Sequence, residues 1–168
     1  MSYQEKRTVT SIVTGILVLA AYCIYAFSRF HSGSLAPDDL KFWASTILIF
    51  IGIGIAASIV IQIVFHILLS ISIAVKKKMQ DEKCEDKEIE KKIKAEMVED
   101  EMDKLIELKS LRPAFLVAGI GFVAALIFLV LNYSSAVMLN ILFISFCVGS
   151  FTEGFAQLYY YRRGLKNG

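Results

Sequence analysis

The apolar positions of this chain fall into four long runs almost free of charge: Val9 to Ser28, Phe42 to Val75, Pro113 to Leu131 and Ala136 to Gln157. The second is interrupted only by small or weakly polar residues, one glutamine (Gln62) and one histidine (His66). About 20 apolar residues suffice to cross the hydrocarbon core of a bilayer. The pattern therefore predicts an all-α integral membrane protein of four transmembrane helices, with spans at about 9–28, 42–70, 113–131 and 136–157. The spans form a single four-helix membrane domain over residues 1–168, interrupted by a charged loop at 76–112. Lys6 and Arg7 precede the first run as they would in a signal peptide. That run is too long for a cleavable apolar core and lacks a small-x-small site before Arg29, so it is expected to be retained as a span.

Composition agrees with this reading. Hydrophobic residues make up 56% of the 168, and the mean hydropathy is +0.59. The net charge of +2 carries less information than its distribution. Lys76, Lys77 and Lys78 close the second span, Lys109 and Arg112 open the third, and Arg162 and Arg163 follow the fourth. Lysine and arginine near span ends favour the cytoplasmic side. Four spans satisfy all three clusters with both termini cytoplasmic, in a cell membrane crossed several times.

Local signals refine the elements. Ala36-Pro37-Asp38-Asp39 reads as the start of the second helix, with proline early and acids at the positive helix end. From there to Lys78 the helix would run about 60 Å, twice the hydrocarbon thickness, so its last turns are expected to emerge into the cytoplasm. Tyr22, Tyr25, Phe27 and Phe30 read as an outer aromatic girdle, and Tyr159 to Tyr161 with Arg162 and Arg163 as an inner one. The loop 76–112 has eleven basic and twelve acidic residues and no Gly or Pro. Ile89, Ile93 and Met97 recur at helical spacing, flanked by opposite charges such as Glu88 with Lys92. This predicts a cytoplasmic helical hairpin continuous with spans two and three. A solvated, frayed loop is the alternative, since isolated helices of this length are marginal. Pro113 either opens the third span or kinks a continuous helix.

Candidate chemistry is sparse. Ser58, Gln62, His66 and Ser70 recur every four residues along one face of the second helix. Glu153 is the one acid within any span, and an intramembrane ionisable group is a functional hypothesis by default. Gln62, His66 and Glu153 are thus the intramembrane candidates, with Glu153 and His66 as a possible pair. Interfacial snorkelling or a structural hydrogen bond is the alternative explanation. Ser11 with Gly15, Gly52 with Ala56, and Ser150 with Gly154 are small-xxx-small pairs of the kind that pack membrane helices. No nucleophile elbow, Walker sequence or HExxH motif occurs, and Cys23, Cys84 and Cys147 have neither disulfide nor metal-ligand spacing. The expectation is a non-enzyme without catalytic residues, metal or cofactor.

The segment Glu99 to Lys109, followed by Arg112, concentrates charge. It resembles a stretch found in a loosely defined group of small prokaryotic four-span membrane proteins. There an Asp-Glu-x-Asp-x-Leu-Ile-Glu-type segment precedes the third span and the chain closes with a Tyr-Tyr-Arg-Arg-Gly-type tail. The matching positions are Asp100, Glu101, Asp103, Leu105, Ile106 and Glu107, then Tyr160, Tyr161, Arg162, Arg163 and Gly164, while Met102 stands where the group would have Arg. The resemblance implies companionship with helix-turn-helix regulators, hence signalling. Asp100, Glu101, Asp103, Glu107 and Arg112 are accordingly the candidate contacts for a cytoplasmic protein partner, such as a transcriptional regulator. The loop's mixed charge does not fit direct nucleic-acid binding, which needs a net basic face. The expected function is regulatory or protein-interacting through the cytoplasmic loop. The alternative is a small oligomeric transporter or channel using His66 and Glu153. Partners are the lipid bilayer, that cytoplasmic protein and a second copy of the chain.

Overall fold

The computed structural model of the protein describes residues 3–31, 39–80 and 100–164. They form four helices, α1 (Tyr3–His31), α2 (Leu40–Gln80), α3 (Glu101–Val130) and α4 (Ser135–Arg163), each with a stretch long and apolar enough to cross a membrane. Helices suit such sequences because every backbone group must find its partner within the segment once water is excluded. At 41 residues α2 is about 60 Å long, twice the bilayer core.

The helix ends follow from individual residues. The Asp39 carboxylate accepts from the backbone N–H of Phe42 at 3.0 Å, so α2 begins immediately after it. At α3, Asp100 Oδ1 accepts from Asp103 N–H at 2.7 Å and Asp103 Oδ2 accepts from Asp100 N–H at 3.2 Å. This reciprocal capping box starts the helix. The helix that carries the third span therefore begins at Glu101 and takes in the end of the charged loop; the rest of the expected hairpin, 81–99, lies outside the described residues. The helix continues through Pro113, which lies inside α3 and not at its start. The helically spaced Ile89, Ile93 and Met97 lie outside the described residues, as does Cys84.

The α3–α4 turn is a Schellman motif. Asn132 adopts φ 63°, Asn132 N–H donates to Leu129 C=O at 3.1 Å, and Tyr133 N–H donates to Phe128 C=O at 3.1 Å. The Tyr133 and Phe128 rings meet at 5.1 Å, supplying the apolar contact that accompanies this cap. Ser134 then caps α4 by accepting from Val137 N–H. Four residues thus reverse the chain and lay α3 against α4.

The packing that follows is one of small residues. Ile106, Ser110, Ala114, Gly121 and Ala125 are buried on one stripe of α3, and Gly149 of α4 approaches the Ala114 carbonyl and the Ala118 methyl. A Cβ on Gly121 would fall inside the Ser145 side chain. α1 lies antiparallel on α4, with Ile12 set into Gly154 and Phe151 over Gly15. α1 also runs antiparallel to α2, from Tyr3 beside His66 to Tyr22 beside Phe50.

Tyr22 ties three helices together. It is 1% exposed, its ring meets Phe50 and Phe143 edge-on, and its hydroxyl donates to Asn140 Oδ1 at 2.5 Å. It does not join the interfacial girdle expected of it, because the Asn140 amide offers its hydroxyl a partner inside the bundle. Gly52 meets nothing within 4 Å, so the Gly52–Ala56 pair packs against no neighbour among the described residues.

Candidate functional site

Antiparallel register decides which polar groups meet. Because α1 opposes both α2 and α4, and α3 opposes α4, one end of the bundle gathers four segments. These are the start of α1, the stretch of α2 around Ser58 to His66, the start of α3 and the end of α4. Between them lies a cavity of about 270 Å³. Its apolar floor is Ile12, Gly15, Phe151 and Gly154, the same residues that lock α1 onto α4. Its walls are polar: Gln4, Arg7, Thr8 and Ser11 from α1, Ser58 and Gln62 from α2, Asp103 and Glu107 from α3, and Ser150, Glu153, Gln157 and Tyr161 from α4.

A chain of hydrogen bonds crosses from α4 to α1. Gln157 Nε2 donates to Glu153 Oε1 at 3.1 Å, and the Thr8 hydroxyl lies 3.2 Å from Gln157 Oε1 and 3.0 Å from the Gln4 carbonyl. One hydroxyl proton serves two acceptors there, so the link to Gln157 competes with a bond inside α1. Gln4 is the unusual member. Its side chain is 9% exposed, yet Nε2 has no acceptor among the described residues. A buried donor left unpaired costs about 1–3 kcal/mol, and each such group in a folded protein calls for an explanation.

The sequence candidates separate at this point. Gln62 and Glu153 line the cavity together, while His66 does not. The His66 ring is exposed, and its Nε2 hydrogen-bonds the Tyr3 hydroxyl. Glu153 bonds Gln157 instead of His66. Among the partner candidates, Asp100 and Asp103 cap each other, Asp103 and Glu107 also line the cavity, and Glu101 is exposed. Arg112 is exposed on a different face of α3. Three carboxylates against one guanidinium give the cavity a negative formal charge when all are ionised. It suits a small solute that offers hydrogen-bond donors or a positive charge to Asp103, Glu107 and Glu153, and an acceptor to Gln4. Among the described residues no group of three His, Cys, Asp or Glu side chains is set to hold a metal ion.

Gln4, Thr8, Gln157 and Tyr161 were not singled out as site residues from the sequence. The signal was present: Gln4, Thr8 and Ser11 share a face of α1, as Glu153, Gln157 and Tyr161 share a face of α4. Starting the first span at Val9 left Gln4 and Thr8 outside it. No family model, curated protein or solved structure matches this chain.

Proposed function

We propose that the protein is a non-enzymatic, multi-pass membrane protein with a regulatory role. In this reading a small polar solute occupies the cavity, and the charged segment between α2 and α3 passes the occupancy on to a cytoplasmic protein. The observation that carries it is the origin of the cavity walls. Ser58 and Gln62 come from α2, and Asp103 and Glu107 from α3, the two helices that flank the segment 81–99. A solute held by all four would favour one relative setting of these helices, and a ligand shifts an equilibrium only by its differential contacts with the two states. The Lys and Arg clusters at this end support a cytoplasmic orientation with both termini inside. A transcriptional regulator is a partner of the kind that the Asp100 to Glu107 segment suggests.

A second reading, a small oligomeric transporter, draws on one observation: Gln62 and Glu153 face the same cavity. The uncovered apolar surface of α2 would then be the face available to a second copy. Crosslinking pull-down of the full chain from native membranes separates the two. In the regulatory reading, a specific soluble protein is captured with the wild type, and its yield changes several-fold in Gln62→Ala and Glu107→Ala. Capture of the chain alone, unchanged by both substitutions, overturns it. Cation flux into proteoliposomes that is abolished by Glu153→Gln would establish the transporter instead.

A further inference from the structure

A second cavity, of about 660 Å³, lies on the other side of the α3–α4 hairpin. Lys109, Arg112 and Pro113 of α3 and Tyr159, Tyr160, Arg163 and Gly164 of α4 line it, with three cations and no acidic side chain. The Arg163 guanidinium sits 5.2 Å from the Tyr159 ring centroid, and its Nη1 donates to the Tyr159 hydroxyl at 3.4 Å. The ring orients this cation and leaves most of its five N–H donors free for another acceptor. Tyr159 is held in turn by an edge contact with Tyr160 at 5.7 Å.

The neighbouring groove is of opposite character. Leu111, Arg112, Phe115 and Leu116 line it, and Phe115 and Leu116 are 76% and 69% exposed. Arg112 belongs to both, so a concentrated positive site passes directly into an apolar channel along α3. A free anion has use for the first part only. A molecule with a phosphate joined to an acyl chain has use for both, and basic pockets between membrane helices are suited to anionic headgroups.

We infer that Lys109, Arg112 and Arg163 bind the headgroup phosphate of an anionic phospholipid whose acyl chain lies along Leu111, Phe115 and Leu116. The site is independent of the solute cavity, with which it shares no lining residue. Its role is to hold one lipid at the hairpin and so fix the depth of α3 and α4 in the bilayer.

The test is a titration of the full chain in mild detergent with phosphatidylglycerol, followed by native mass spectrometry, with phosphatidylcholine and excess inorganic phosphate in parallel. The first phosphatidylglycerol is expected to bind at least tenfold more tightly than phosphatidylcholine. Each of Lys109→Gln, Arg112→Gln and Arg163→Gln should weaken it about fivefold, and Lys41→Gln, at the opposite end, should leave it unchanged. Arg112 is exposed, so Arg112→Gln keeps the test open if Lys109→Gln fails to fold. A phosphatidylglycerol affinity left unchanged by Arg112→Gln overturns the site. Displacement of the lipid by inorganic phosphate at the same concentration as free phosphatidylglycerol overturns the lipid as its occupant.

Discussion

The α3–α4 hairpin and α2 are both built from long apolar runs, with α2 the most apolar, yet the hairpin is closely packed and α2 is largely exposed. Along the hairpin, Ser110, Ala114, Gly121 and Ala125 bring the α3 backbone against Gly149 and Ser145 of α4. On α2 only Trp43 and Thr46 are buried among the described side chains, and Ile, Leu and Val side chains face outward along most of its length. The difference shows what apolarity does in lipid. Acyl chains solvate isoleucine as well as another helix does, so hydrophobic residues give no reason for two helices to associate. Close van der Waals approach through small residues does, and so do hydrogen bonds between helices. α3 and α4 have the first and α2 has little of either.

The largest expected effect breaks the hairpin while sparing α2. Gly121→Leu drives a side chain into Ser145 and should cost about 3 kcal/mol, whereas Gly52→Leu enters open space and should stay within about 0.5 kcal/mol of wild type. Denaturant unfolding in mixed micelles measures both, and equal losses would mean that the two helices do not differ as described. A smaller effect is expected at the joint between the halves. Tyr22→Phe removes the hydroxyl that Asn140 receives and should cost about 1 kcal/mol. A double-mutant cycle with Asn140→Ala should recover most of that as coupling, and a coupling near zero would refute the bond. The smallest is local. Asp100→Ala removes the cap of α3, worth about 0.5–1 kcal/mol, and should speed amide exchange at Glu101 to Lys104 while leaving Gln62 to His66 unchanged. Exchange that rises equally in α2 would show that the start of α3 is not an independent element.

Much of the architecture was legible along the chain. Uncharged runs long enough to span a bilayer can only be helices there, and the short segment Asn132 to Ser135 could only join antiparallel neighbours. The start of α2 was readable to within about two residues: a count from Asp38 places it just ahead of Leu40, and Asp39 caps the helix there. The reach of α3 was less readable. The acids from Asp100 to Glu107 looked like a surface for partners, since a charge pattern does not reveal which carboxylate turns back onto its own backbone. The candidate site was half visible. Gln62 and Glu153 stood out as polar residues in apolar spans, but their meeting with Gln4, Thr8 and Gln157 depends on the register of α1 against α4. Pairing Glu153 with His66 was a reasonable use of opposite chemistry, but His66 lies beside Tyr3 in the first turn of α1 and Glu153 bonds Gln157.

The sequence by itself determined four apolar helices, their order and the polar residues they contain, because those properties are summed along one segment at a time. Only the tertiary structure decided which helices pack, that Tyr22 turns inward, and that Gln62, Glu153 and the acids of α3 share a cavity while Arg112 and Arg163 share another. The physical reason is the one that leaves α2 bare. In lipid the choice of neighbours rests on the fit of small residues and on single hydrogen bonds between helices, and neither is a property of any one stretch of chain.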